Sequence, residues 1–539
     1  MTDTTTDTFD VIVVGAGPAG CAVASRLADA RPDLSVALLE SGPGSHPAVV
    51  HTPFGIAATV PRRSERNYAF RTVPQAELGG RCGYQPRGRG VGGSSLINAM
   101  VYIRGQKEDY DSWAAAGCTG WGWDDVLPCF KRSENNERGG DALHGTGGPL
   151  NVADPVDPSP FSRLFVRAAE EAGFPANPDF NGPTQEGVGL YQVFEKGGER
   201  WNASRAYLES RERHNLTILA ETQTLRLTFQ GKRATGVVVR TPDGERTLQV
   251  RREVVLSAGA FGSPQLLMCS GIGPAEHLRG HGIDVLHDSP DVGGNLQDHL
   301  DYTVARLATS RDLIGVTPGF VLQFLGAIRR YKKERRGLLT SNISEAGGFL
   351  KSRPDLDRPD LQLHVCISPV DDHGRKRHYS RGFSVHVCGL RPESRGTVRL
   401  AGPSAMDAPL IDPRYLSAPA DLDTLVNGVR LVHRILAAPS FAKIPAKPLY
   451  DTSTEDDATL RALIRARADT IYHPVGTCRM GGDERSVVDA SLRVRGVEGL
   501  RVADASIMPT LVSGNTQAPS AMIGEKASDL ILADMMAMA

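Results

Sequence analysis

The sequence predicts an α/β chain, α+β overall: a parallel sheet flanked by helices, with a second unit built on an antiparallel sheet inserted into it. Three observations carry this prediction. FDVIVV (9 to 14), an apolar, β-branched run of the kind that makes a buried strand, leads straight into a glycine-rich turn and a helix-like stretch. LTILAE (216 to 221), ATGVVVRT (234 to 241) and EVVLSAG (253 to 259) are strand-like runs that suit the same sheet. DLQLHVCISPV (360 to 370) and GFSVHVCGLRPESRGTVRL (382 to 400), in contrast, read as long antiparallel strands with alternating faces.

Each element has a local reason. The first strand runs into GAGPAG, which sets Gly15, Gly17 and Gly20 in G-x-G-x-x-G spacing, and CAVASRLADA continues as a helix. The glycines permit the tight turn and let backbone N–H groups approach a pyrophosphate at the helix N-terminus, where the partial positive charge favours an anion. A second strand, VALLE, ends in Glu40, at the spacing expected of a carboxylate that accepts hydrogen bonds from a ribose. Together these features predict a Rossmann-like dinucleotide site. An acid at that position disfavours NADP and leaves FAD and NAD.

At 539 residues the chain exceeds one ordinary domain, so two intertwined domains are expected. Residues 1–150, 215–305 and 465–539 form the discontinuous nucleotide-binding domain; 151–214 and 306–464 form the inserted one. Lys and Arg number 61 against 62 Asp and Glu, so no global field draws the chain to nucleic acid. The eight cysteines are scattered, without C-x-x-C pairs or zinc-like spacing, which indicates neither a metal site nor a disulfide framework and suits a reducing compartment. The N-terminus lacks the pattern of a signal peptide, and no apolar run approaches the ~20 residues needed to cross a bilayer. A cytoplasmic location is expected.

A second glycine cluster, PRGRGVGGSSLINAMVYIRG (86 to 105), suits backbone lying against a flat ligand. This stretch resembles the first signature of the glucose-methanol-choline (GMC) oxidoreductases, and GAFGSPQLLMCSGIGP (259 to 274) resembles the second. The resemblance runs from GAGPAG through NLQDH (295 to 299) to RVADASIMPTLVSGNTQAPSAMIGEKASD (501 to 529), essentially the whole chain. It implies FAD, and it assigns cofactor contacts to Gly15, Gly17, Ala19, Gly20, Glu40, Gly92, Gly93, Ser94, Asn98, Ala99, Met100, Val101, Thr224, Ala258, Asp504, Ala505, Thr516 and Gln517. Within the family, NAMVYIRG, DFNGPTQEGVGLYQV (179 to 193), RWNASRAYL (200 to 208) and TSNISEAGGF (340 to 349) are most similar to bacterial aliphatic alcohol dehydrogenases and the choline dehydrogenases near them, with polyethylene glycol dehydrogenases also similar.

Oxidising an alcohol through a flavin requires removal of the hydroxyl proton and transfer of hydride from carbon to flavin N5. A neutral histidine suits the first step near pH 7. The resemblance places this base at His473 in YHPVGTCRMG and its partner, which orients or donates to the substrate oxygen, at Asn515 in SGNTQAP. The other histidines, several in polar contexts such as DDHGRKRHYS (371 to 380), read as solvated or structural. An alcohol oxidase, a hydroxynitrile lyase of the same family and a non-catalytic flavin protein are the alternatives that share these motifs.

Two departures from the family pattern stand out. Ile97 occupies the place where some relatives carry a histidine bonded to the isoalloxazine, so non-covalent FAD is expected. TQAP replaces the commoner TNAP and puts Gln517 in a loop near the flavin. Finally, GFVLQFLGAIRRYKKERRG (319 to 337) begins apolar and ends basic, which suits peripheral contact with the inner face of an anionic membrane and a quinone as electron acceptor.

Overall fold

The computed structural model describes residues 8–453 and 456–537. Its first layer is a seven-stranded sheet in the order Leu216–Leu219, Val36–Leu39, Thr8–Val14, Gly244–Leu256, Arg233–Thr241, Gln223–Gln230, with Leu500–Val502 also paired to Gly244–Leu256. The strands around Thr8–Val14 are parallel, and the last two of the series run antiparallel. Val11, Ile12, Val13 and Val14 are all buried, as a strand covered on both faces requires. EVVL is only the C-terminal end of its strand, which starts at Gly244.

Helix Pro18–Ala30 covers this sheet and packs on the C-terminal helix Gln517–Ala537. The contact is close because small residues meet: a Cβ at Gly524 would lie 2.4 Å from the carbonyl oxygen of Ala19. Glu525, fully buried on the C-terminal helix, accepts hydrogen bonds from Arg26 at 2.9 Å, Arg132 at 2.7 Å and the Tyr207 hydroxyl at 2.9 Å. Two cations and a hydroxyl offset the cost of that buried carboxylate.

The second sheet has eight strands, in the order Ala446–Pro448, Leu300–Ala308, Arg381–Gly389, Leu361–Cys366, Ser344–Leu350, Gly187–Leu190, with Ile314–Gly315 and Asp469–Thr470 pairing at its side. All pairings are antiparallel. Leu361, Leu363, Val365, Phe383, Val385 and Val387 join the core formed with helices Pro160–Glu171 and Pro419–Leu436. Alternation then turns Gln362, His364, Cys366, Ser384 and His386 to the opposite face.

Two expectations need adjustment. The run 382 to 400 is not one strand: Arg381–Gly389 ends before Pro392, and Thr397–Arg399 pairs with Leu410–Asp412 in a separate small sheet. The border drawn at 305 cuts through Leu300–Ala308, which pairs with Arg381–Gly389 along its length, and Asp469–Thr470 pairs with the start of the same strand. We therefore propose divisions before Leu300 and after Thr470.

Candidate active site

A cavity of about 1070 Å³ lies between the two sheets. At one end it is built from backbone. Gly15 has φ +103°, and a Cβ there would lie 2.4 Å from the Ser257 carbonyl oxygen. Gly17 precedes helix Pro18–Ala30 and lines the cavity, and a Cβ on it would meet nothing within 4 Å, so its hydrogen leaves free space at a helix N-terminus. Gly93 packs against this turn, where a Cβ would come 2.7 Å from Gly17 Cα. Glu40 ties the pieces together: its carboxylate accepts N–H bonds from Gly42 at 2.8 Å, Gly90 at 3.0 Å and Ala16 at 3.2 Å. Burial raises its pKa, offset in part by these donors.

Of the residues expected to contact the cofactor, Gly15, Gly17, Ala19, Glu40, Gly93, Ser94, Asn98, Ala99, Met100, Val101, Thr224, Ala258, Asp504, Ala505, Thr516 and Gln517 line this cavity. Gly20 and Gly92 do not. A Cβ at Gly20 would lie 1.9 Å from the Gly15 carbonyl oxygen, so Gly20 lets the helix sit against the turn. Gly92, at φ +117°, donates its N–H to Ala16 at 2.7 Å and joins the two glycine loops. Met100 takes φ +60°, a conformation non-glycine residues rarely hold, and its N–H is fixed by the Asn98 side chain at 3.1 Å. Asn98 also donates to Gln517 and accepts from Arg200 at 2.8 Å. Ile97 lines the cavity and offers no nucleophile for attachment.

The other end is built from side chains. His473 Nδ1 lies 3.0 Å from His299 Nδ1, and His299 Nε2 lies 3.0 Å from the carbonyl oxygen of Leu390. A carbonyl only accepts, so His299 carries its proton on Nε2 and presents a bare Nδ1. His473 must then donate from Nδ1, which leaves its Nε2 unprotonated. That atom is 3.2 Å from the amide nitrogen of Asn515, whose oxygen accepts from Gln362 at 2.9 Å. The Asn515 amide is thus oriented, and His364 Nε2 stands 3.5 Å from the same nitrogen.

Burial, followed by the neighbouring imidazoles and Arg87, holds His473 well below the ordinary histidine pKa. Burial also pushes His299 down to about 4 and His364 down to about 3. The cluster is neutral at physiological pH. The backbone of His473 is anchored by its N–H to Asp298 at 2.9 Å, and Asp298 also accepts from Tyr415 at 2.5 Å and Thr470 at 2.6 Å. Tyr472, immediately before it, takes φ +80°, and its carbonyl accepts from Arg87 at 2.6 Å.

The sequence reading missed His299, His364 and Gln362. Read as solvated or structural, His299 stands beside His473 and His364 beside Asn515. Their signal was present: in LQLHVC and FSVHVC polar residues recur at every second position of otherwise apolar strands, which marks one sheet face as a polar floor. His373 and His378, from the segment read as solvated, line the cavity as well.

Comparison with known proteins gives the family. A GMC oxidoreductase N-terminal family model matches residues 9–301, and the C-terminal model matches 392–524. The chain belongs to the GMC oxidoreductase family. This GMC oxidoreductase is 47% identical over 530 residues to an alcohol dehydrogenase (acceptor) of Pseudomonas putida, covering 97% of this chain and 96% of that protein. It is 40% identical to the mitochondrial choline dehydrogenase of Mus musculus, covering 97% and 89% respectively. Its fold matches pyridoxine 4-oxidase from Mesorbium loti with a TM-score of 0.87 at 32% identity, covering 97% of this chain and 98% of that one. FAD is the cofactor, and the residues present fit it: the glycine turn at a helix N-terminus would hold the diphosphate and Glu40 the ribose, with a second glycine loop packed against that turn. No helix among the described residues is long and apolar enough to cross a membrane, and no cluster of three or more of their His, Cys, Asp and Glu side chains is arranged to hold a metal ion.

Proposed function

We propose that this GMC oxidoreductase oxidises primary aliphatic alcohols to aldehydes, with His473 as the base and Asn515 as the group that holds the alcohol oxygen. The observation that carries this reading is the hydrogen-bond chain from Leu390 through His299 to His473, which leaves Nε2 bare beside the Asn515 amide. The hydroxyl proton passes to Nε2 while Asn515 Nδ2–H holds the developing alkoxide, and the Nδ1–H bond to His299 steadies the resulting imidazolium. FAD, when bound, supplies the acceptor for the hydride that leaves the alcohol carbon.

Choline is disfavoured. The carboxylates lining the cavity are Glu40, Asp407 and Asp504. Glu40 is bound by the glycine turns, Asp504 by Gly259 and Ser263, and the Asp407 backbone by Gln265. Three of the four lining Phe and Tyr residues, Tyr68, Phe70 and Phe261, pack together beside Ser41. Only Tyr472 adjoins His473, too little for a cage around a quaternary ammonium.

Electrons leave to a quinone-type acceptor, in keeping with the similarity to an acceptor-dependent dehydrogenase. Peripheral contact with an anionic membrane is supported by helix Pro318–Glu334, where Val321 is 57%, Leu322 74% and Leu325 59% exposed, followed by Arg329, Arg330, Lys332 and Lys333. Anaerobic mixing with alkanols tests the reading: rapid flavin bleaching is expected, much slower bleaching with choline, and faster reoxidation by quinone-like dyes than by O2. Failure of every alcohol to bleach the flavin overturns it.

A further inference from the structure

The cavity that contains His473 shares a wall with a second one of about 400 Å³. Arg71, Val370, His373, Lys376, His386 and Tyr472 face both. The four carboxylates of the second cavity are all committed: Asp301 to His386 at 2.6 Å, Asp371 to Arg467 at 2.7 Å, Asp469 to His373 at 3.2 Å, and Asp372 to Arg375. Its cations are not all so engaged. Among the described residues Arg71, Arg81 and Lys376 close no salt bridge, and Nε of Arg81 is buried without a hydrogen bond. Burial disfavours the imidazolium of His386, but Asp301 outweighs it and lifts the pKa well above the ordinary value. Asp301 offsets this charge from the second cavity; among the described residues the carboxylates lining the main cavity are Glu40, Asp407 and Asp504, and none of them pairs with His386.

We propose that the second cavity receives an anionic group at the far end of the substrate, so that the preferred alcohol carries a carboxylate or a phosphate remote from its hydroxyl. This rests on the alcohol reading above and names the substrate class for the same site. The register sets the length. His364 stands 3.5 Å from the Asn515 amide, His386 is its direct partner on the adjacent strand, and Thr303 is the partner of His386 on the next. His386, on the wall shared by the two cavities, is therefore one strand spacing, ~5 Å, from His364, and Thr303 of the second cavity is two, ~10 Å, which leaves room for several methylenes. Arg71 and Lys376 would donate charge-assisted hydrogen bonds to the anion, whereas a quaternary ammonium there meets like charge.

The test reduces the holoenzyme anaerobically with three alcohols of equal chain length: an alkanol, its ω-carboxylate and its ω-phosphate. At least one anionic alcohol should exceed the alkanol in kcat/KM by roughly tenfold, and which of the two does so identifies the anion. The advantage should shrink with added salt and disappear in the Arg71→Gln, Lys376→Gln double variant. In the wild-type enzyme, which needs no variant to fold, an alkanoate lacking the hydroxyl should inhibit competitively and the matched alkylammonium should not. Reduction by the alkanol as fast as by both anionic alcohols overturns the proposal and leaves the alcohol reading standing, as does an anionic preference that survives in the double variant. No reduction by any alcohol removes both.

Discussion

The two ends of the cavity are built in opposite ways. The cofactor end is made by absent side chains: Gly15, Gly20 and Gly93 bring backbone within distances that a Cβ would occupy, Gly17 leaves open space at the helix N-terminus, and the segments concerned are short and contiguous. The end that holds the proposed base is made by present ones: His299, His473 and Asn515 come from distant segments outside the strands and meet only where the fold brings them against His364 on strand Leu361–Cys366. A diphosphate or a flat ring needs close backbone, which a short motif can encode. A base needs a fixed tautomer in a dry place, and only tertiary structure supplies that.

The strongest way to break this contrast is within the glycine turn itself. Gly20→Val should abolish flavin binding and destabilise the domain by about 1–3 kcal/mol or more, because its Cβ would collide with the Gly15 carbonyl at 1.9 Å. Gly17→Ala, whose Cβ meets no protein atom within 4 Å, should fold normally and lose only FAD affinity. Visible absorbance and circular dichroism read the two effects separately, and equal loss of fold in both variants would erase the distinction.

The catalytic end should declare itself through pH. His299, His364 and His473 all have pKa values lowered on folding, so the unfolded chain binds more protons below its ordinary histidine value of 6.5. Stability from these groups is complete above pH 6.5 and is lost as pH falls from there toward about 4, the value for His299. Thermal melts across that range should show the decline, and it should be shallower in His364→Leu. A flat profile in the wild type would mean that the cluster is not buried neutral. The smallest effect concerns attachment: with Ile97 where the resemblance puts a flavin-bonded histidine in some relatives, acid precipitation should leave all flavin in the supernatant as free FAD.

Legibility in the sequence followed the same divide. The first strand, the turn, Glu40 and both glycine loops were readable because each is a local pattern with a steric cause. His473 and Asn515 were readable only through resemblance, since 42 residues separate them, and His299 and His364 were passed over because a histidine on an apolar strand looks structural until its neighbours are known. The border drawn near 305 differs from the division proposed before Leu300 for a related reason: Leu300–Ala308 follows the NLQDH motif without a break, and nothing local marks the change of sheet. The second cavity left no mark in the sequence either, because its charges are drawn from segments around 71–82, 301–303, 370–376, 386 and 466–472.

The central claim is that His473, held neutral with a bare Nε2, takes the alcohol's proton. Stopped-flow reduction of the flavin by alcohol under anaerobic conditions, in wild type and His473→Ala, tests it most directly. The predicted result is a rate lower by roughly 10²- to 10⁴-fold, the range of general base catalysis, with FAD content near normal. An unchanged rate in a variant that still holds its FAD would contradict the account.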